Sequence, residues 1–143
     1  MKYFAVIIVF LIGSGLQSFA EDAPKTWTVD MTAALLDQDG KPVEDQFTKP
    51  AEDKDCSRCQ PLTLGNAAAH ALFFVSGDER EVTPEQKWSW AVLAEQIRSD
   101  PKAALTAAQA DLIYRRLGKM YGGLILLRAM PLIDPNRKPP EIK

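Results

Sequence analysis

The two cysteines of the chain, Cys56 and Cys59, are the residues whose type and spacing could most readily do chemistry. In an oxidising compartment, such a pair most simply forms a disulfide. Thiol–disulfide exchange would need a cation or a helix N-terminus to stabilise a thiolate, and a zinc site would need four ligands. Pro61 separates the pair from the next helix, and Gln60 stands where haem attachment requires histidine. We predict a structural disulfide, with redox chemistry or metal handling as the alternatives.

Two further side chains are candidates for binding. His70, the single histidine, lies in a helical pattern rich in alanine and phenylalanine, where a packed imidazole is commoner than a ligand or a base. Trp88 and Trp90 are two residues apart, so one helix cannot bury both on the same side. Trp90 fits an apolar stripe with Leu93 and Ile97. The spacing leaves Trp88 partly exposed, which hints at a binding surface, but the interpretation that Trp88 covers the hairpin is favoured over it; we name Trp88 and His70 as candidate binding residues.

Composition and motifs point away from catalysis and from nucleic acid. The chain has 17 basic and 19 acidic side chains and a formal net charge of −2, with no basic stripe. The electrostatic pattern of a nucleic-acid-binding protein is therefore missing from the sequence. No nucleophile–base pair, nucleophile elbow or EF-hand loop is legible. We predict no catalytic residue, no metal and no cofactor.

The N-terminus has the pattern of an export signal. Lys2 precedes an apolar run, Tyr3–Ile12, which is long enough for a signal peptide but too short to span a bilayer. Small residues at Ser18 and Ala20 predict cleavage after Ala20; an uncleaved anchor is the alternative. We predict a signal peptide over residues 1–20, a single domain over 21–135 and a flexible tail over 136–143. The mature protein is then periplasmic or secreted, without stable membrane insertion.

The mature chain begins with a strand pattern. Apolar residues alternate over Trp27–Leu35, and a turn at Asp37–Lys41 follows. A three-residue loop with Gly40 in a left-handed conformation keeps the apolar residues on one face. The pairs in this register are Leu35 with Val43 and Met31 with Phe47.

Helices follow a charged loop over Thr48–Gln60. The first three have a start signal, a threonine that can cap the helix. The predicted helices run from Thr63 to about Val75, from Thr83 to about Arg98, from Thr106 to about Leu117 and, as a helix in preference to a strand, from Leu124 to Met130, with Pro131 and Pro135 ending the fold. The fold class is α+β, with an N-terminal β-hairpin followed by three or four short helices in a single small domain.

Four short motifs resemble a pattern found in small phage and prophage proteins of unassigned function. The motifs are Asp39-Gly40-Lys41-Pro42, Leu62-Thr63-Leu64-Gly65, Glu85-Gln86-Lys87 and Gly118-Lys119-Met120-Tyr121. The resemblance covers roughly residues 29–133 and implies the same order of elements, but it supplies no activity and no site residues. Those proteins look cytoplasmic, and the cysteine loop lies outside the shared pattern. The resemblance therefore implies a phage-derived module recruited to the cell envelope.

These features predict an exported, non-enzymatic binding or structural module whose partner is another protein. The alternative is a periplasmic thiol–disulfide or metal-handling protein that acts through Cys56 and Cys59. A small hydrolase is the least favoured class, because the sequence shows no nucleophile beside His70.

Overall fold

Two strands and four α-helices form one α+β domain. A computed structural model describes residues 25–52, 56, 59–74 and 82–138, so the predicted signal peptide and the end of the predicted tail lie outside the described residues. The elements are β1 (Thr26–Asp30), a 3-10 helix (Gln46–Thr48), α1 (Leu64–Phe73), α2 (Pro84–Ser99), β2 (Lys102–Thr106), α3 (Ala107–Met120) and α4 (Gly123–Ile133). The predicted class and the number of helices are confirmed. No helix in these ranges has both the length and the apolar character needed to cross a membrane.

The first strand pairs with a segment that the sequence analysis did not identify. β1 and β2 are antiparallel, with Thr26 opposite Thr106 and Asp30 opposite Lys102. In β2 the side chains of Ala103 and Leu105 are buried and their neighbours are more exposed. This alternation is that of a strand with one face on the core.

The predicted turn is confirmed. Gly40 has a φ of +76°, the left-handed conformation that a residue without a Cβ adopts readily. The Asp37 N–H donates to the Lys41 carbonyl and the Val43 N–H donates to the Leu35 carbonyl, each at 2.8 Å. These two bonds set a three-residue loop and place Leu35 opposite Val43, as predicted.

Beyond the turn the predicted hairpin does not continue. Met31 leaves β1 and donates its N–H to the carbonyl of Pro101 at 2.9 Å. Phe47 lies in the 3-10 helix rather than in a return strand. The predicted pairing of Met31 with Phe47 is therefore wrong. Its physical cause is that β2 takes the hydrogen bonds of β1, which leaves the chain after Pro42 with isolated bridges only.

All three predicted threonine caps are present. Thr63 caps α1, while Thr83 and Thr106 form complete capping boxes with glutamine three residues later. The run Leu124–Met130 is helical, and the helix continues through Pro131 to Ile133, so Pro131 does not end it; Pro135 follows the C-cap at Asp134. Pro131 removes one N–H from the last turn, and the helix ends two residues later.

The start of α1 fits closely against the bend after β1. The N–H groups of Leu64 and Gly65 donate to the carbonyls of Ala33 and Met31, each at 2.8 Å. A Cβ at position 65 would lie 2.9 Å from the Met31 carbonyl oxygen, so this approach requires glycine. The buried alanines of α1 then let α2 and α3 pack against it on two sides. The described part of the predicted tail is held by Arg137, which pairs with Asp111 at 3.1 Å.

Candidate functional site

Two consecutive acidic residues, Glu44 and Asp45, belong to two different sites. The segment around Glu44 and Asp45 is paired with the segment that follows the cysteines, through Asp45 N–H to Gln60 O at 2.8 Å and Leu62 N–H to Val43 O at 2.6 Å. Neighbouring side chains on extended backbone point to opposite sides. Glu44 is accordingly exposed and close to the cysteines, whereas Asp45 is buried and faces α1.

Asp45 holds the backbone of the 3-10 helix. Its carboxylate is 1% exposed, and each of its oxygens accepts a hydrogen bond. The Phe47 N–H donates to Oδ1 at 3.0 Å, and the Asn66 Nδ2 donates to Oδ2 at 3.2 Å. A buried carboxylate requires such partners because burial without them is costly. Asp45 therefore ties Phe47 to the first turn of α1.

His70 lies between this carboxylate and the end of α3. Its Nδ1 is 3.4 Å from the Tyr121 hydroxyl and 3.9 Å from Asp45 Oδ1. Its ring packs against Phe47, with 4.3 Å between ring centroids. Burial lowers the pKa of His70 below its ordinary value of 6.5; the Asp45 carboxylate opposes this shift and Arg98 adds to it. Burial, with a smaller effect of Asp45, raises the pKa of Tyr121 to about 12.

Phe47 is the exposed member of this group. It is 62% exposed although its backbone and its ring are both held. Beside it lies a cavity of about 180 Å³, lined among others by Asp45, Tyr121 and Ile125. We call Asp45, Phe47, His70 and Tyr121 the aromatic site.

The predicted disulfide partners are brought together. Cys56 and Cys59 form a disulfide with 5.0 Å between their Cα atoms, and the Cys59 N–H donates to the Cys56 carbonyl at 3.1 Å. Cys56 is buried and has a φ of +55°, a conformation that is uncommon for a residue with a side chain. A carboxylate oxygen of Glu44 lies within 4.8 Å of both sulfurs.

The surroundings of the disulfide favour the bonded state over free thiolates. A carboxylate beside two sulfurs disfavours thiolates by repulsion of like charges. The nearest following helix, α1, begins five residues after Cys59 and is already capped by the side chain of Thr63. Arg58, the cation next to the pair in the sequence, lies outside the described residues.

Trp88 is on a different element from the aromatic site. It lies near the start of α2 and is 73% exposed, so its predicted exposure is confirmed. The predicted stripe is also observed, since Leu93 and Ile97 are buried and the ring of Trp90 lies 4.4 Å from the guanidinium of Arg116. Among the described residues, no ring contact or hydrogen bond joins Trp88 to His70.

The sequence analysis identified His70 but missed Glu44, Asp45, Phe47 and Tyr121. The sequence pattern predicts a return strand over the segment that contains Glu44, Asp45 and Phe47. That prediction gave no indication of the contacts that these side chains make. An aspartate two residues before an aromatic residue fits the N-cap of a short helix, and this signal could have located Asp45. Tyr121 had no local signal, because it is 51 residues from His70 along the chain.

Comparisons with known proteins add no constraint on function. No family model, no curated protein and no solved structure gives a significant match to this chain. The resemblance to phage proteins stays a prediction. Function is therefore argued from the geometry of the two sites.

Proposed function

We propose that the protein is an exported, non-enzymatic binding module that contacts another protein through Phe47. The observation that carries this proposal is a side chain that is 62% exposed yet held by Asp45 and His70. Immobilising a flexible side chain on binding costs about 0.5–1.5 kcal/mol. An aromatic side chain that is already positioned avoids much of that cost, and aromatic residues are enriched among the residues that dominate binding energy.

The size of the neighbouring cavity favours a protein partner over a small molecule. Its volume of about 180 Å³ is below the roughly 300–1,000 Å³ of typical ligand pockets. Phe47 stands beside this cavity, where an apolar side chain of a partner could be covered on one side by Ile125 and on the other by Phe47. The net charge of −2 argues against nucleic acid.

The aromatic site offers less support for a hydrolase. Both oxygens of Asp45 are already used by Phe47 and Asn66, and Asp45 Oδ1 lies 3.9 Å from Nδ1 of His70, beyond hydrogen-bond distance. The pair therefore lacks the contact by which a carboxylate orients a catalytic imidazole.

Thiol–disulfide exchange is also less supported than a structural disulfide. The carboxylate of Glu44 near both sulfurs opposes the thiolate that an exchange reaction requires. A disulfide fits the oxidising compartment that export would reach. Export itself rests on the N-terminal sequence pattern, and an origin in a phage module stays a prediction.

Photo-crosslinking tests the binding proposal. A photoreactive amino acid is placed at Gln46, which is exposed beside Phe47, and separately at Asp39, which is exposed in the turn. After irradiation of cells of the native host, we expect a discrete crosslinked protein from position 46 and none from position 39. N-terminal sequencing of the same sample should begin at Glu21.

Two substitutions make the test specific. Phe47→Ala should reduce the position-46 crosslink at least tenfold, whereas Trp88→Ala, which removes a more exposed aromatic side chain, should leave it unchanged. A crosslink that persists in Phe47→Ala, or that is lost only in Trp88→Ala, contradicts the proposal. Protein that is found in the cytosol with an N-terminus that still reads Met1-Lys2-Tyr3 contradicts export.

A further inference from the structure

We infer that the reduced Cys56–Cys59 pair forms a zinc site together with Glu44. This inference goes beyond the binding function and does not depend on it. Ligand atoms of these three residues all lie within 4.8 Å of one another. Tetrahedral zinc keeps thiolate and carboxylate ligand atoms about 3.5–3.8 Å apart, from bond lengths of about 2.3 Å to sulfur and 2.0–2.2 Å to oxygen. Small side-chain adjustments would therefore bring the three ligands onto one ion.

The ligands come from two chain segments that the backbone already holds together. Glu44 is bridged to Pro61, and the flanking bonds Asp45 N–H to Gln60 O and Leu62 N–H to Val43 O fix the register on both sides. The carboxylate position is thus set by the fold rather than by a flexible loop. A preformed third ligand lowers the entropy cost of binding an ion to two neighbouring thiolates.

Burial within the cluster is uneven, which fits a metal site with one open position. Cys56 is buried, Cys59 is half-buried and Glu44 is exposed. Three protein ligands leave the fourth position of a tetrahedral ion open to water, which can reach the exposed side of the cluster. Two thiolates select a thiophilic cation such as zinc over magnesium or calcium.

The charge of Glu44 destabilises free thiolates but stabilises a metal ion bound to them. Its negative charge disfavours two free thiolates, but the same charge adds to the attraction for a divalent cation. With zinc bound, the charges of two thiolates and one carboxylate exceed that of the ion by one. Glu44 therefore keeps the metal-free reduced pair in its thiol form and strengthens the attraction for the ion once the thiolates are bound.

The conversion needs a reductant, and we propose a dithiol. The dithiol transfers two electrons and two protons to the disulfide, which opens to two thiols while the dithiol becomes a disulfide. Zinc binding then releases the two thiol protons to solvent as two zinc–sulfur bonds form. Oxidised protein has neither sulfur available and should not bind zinc at this site.

Cobalt(II) provides the spectroscopic probe. The purified protein is reduced, freed of reductant without oxygen and titrated with cobalt(II) chloride. We expect one equivalent to bind with a near-ultraviolet thiolate-to-cobalt charge-transfer band, and zinc chloride to displace it. Oxidised protein should give no such band. Reduced protein that gives no band either overturns the inference.

Substitution of the carboxylate tests the third ligand without touching the thiols. Glu44→Gln should weaken zinc binding at least tenfold, measured by competition with a chromophoric chelator. Glu52→Gln, which makes the same change at another exposed glutamate that lies outside the cluster, should bind zinc like the unmodified protein. Equal affinity in Glu44→Gln and Glu52→Gln overturns the site, while the Phe47 crosslink would be unaffected by that result.

Discussion

Phe47 and Trp88 are both largely exposed aromatic residues, but the molecule holds them in different ways. Phe47 is fixed through its N–H by Asp45 and through its ring by His70. Trp88 has no hydrogen bond or ring contact among the described residues, and its neighbour one turn later on α2, Val92, is also exposed. The comparison teaches that exposure alone is a weak mark of a binding residue. An exposed side chain that is also restrained by buried polar groups is a stronger one.

The restraint has a cost that the rest of the fold must offset. Burying the Asp45 carboxylate removes it from water, and the hydrogen bonds from Phe47 and Asn66 compensate. Within the part of the chain that the structure describes, Trp88 has no comparable support. The predictions below test this difference, beginning with the largest expected effect.

Replacing the anchor should give the largest loss of stability. We expect Asp45→Ala to lower the free energy of unfolding by about 2–3 kcal/mol, because charge-assisted bonds are lost and two part-buried donors lose their acceptor. Asp39→Ala, in the exposed turn, should change it by less than about 0.5 kcal/mol. Urea titration followed by circular dichroism measures both. Equal values for the two variants would mean that Phe47 is not anchored.

Removing the disulfide should have the next largest effect. The bond closes a loop of only four residues, so replacing Cys56 and Cys59 by serine should cost about 2 kcal/mol on chain-entropy grounds. The loop is paired to Glu44 and Asp45, so the loss should also loosen the backbone of Phe47 and not that of Trp88. Amide hydrogen exchange distinguishes the two regions. Failure of this double variant to fold would contradict the short-loop argument.

The two aromatic residues should differ modestly in stability themselves. Phe47→Ala removes a ring contact with His70, a kind of interaction worth about 0.5–1.5 kcal/mol. Trp88→Ala removes a side chain that is 73% exposed and should cost less than about 0.5 kcal/mol. Thermal and urea unfolding of both variants checks the order. A larger loss for Trp88→Ala would reverse the comparison.

The smallest effect is the pH dependence at His70. Its pKa in the folded protein lies below the ordinary 6.5, because burial disfavours the charged imidazole. As pH falls from 6.5 through the folded pKa, the unfolded chain takes up the proton first and the free energy of unfolding decreases. This part of the acid sensitivity should be missing in His70→Gln.

A titration of the single imidazole can be followed directly by NMR. In Asp45→Asn the pKa of His70 should fall further, because the carboxylate that favours the charged form is gone. Trp88→Ala should leave the titration unchanged. A pKa above 6.5 in the unmodified protein would contradict the burial argument.

Local signals in the sequence predicted the helices well. The caps at Thr63, Thr83 and Thr106 depend on residues within three positions of each other, so no tertiary information is needed to see them. The turn at Gly40 is equally local. The exposure of Trp88 followed from helical spacing relative to the buried stripe.

The features that sequence analysis missed depend on distant partners. β2 is five residues long and contains two alanines, which have little strand preference, and its partner precedes it by more than 70 residues. Arg116 is buried; its Nε donates to the Ala71 carbonyl at 3.0 Å and its guanidinium lies over Trp90, contacts that no local pattern indicates. Asp45 was missed because its partners are on α1 and in the 3-10 helix.

The pairing of the first strand sets an order of events during synthesis. β1 finds its hydrogen-bond partners only in β2, and the indole N–H of Trp27 donates to the carbonyl of Ile133, 106 residues later. β1, which is synthesised first, therefore cannot make its native contacts until nearly all of the domain has been synthesised. A polypeptide that is leaving a ribosome or passing through a narrow channel therefore cannot complete this fold early. The domain stays incompletely folded until its C-terminal part is available.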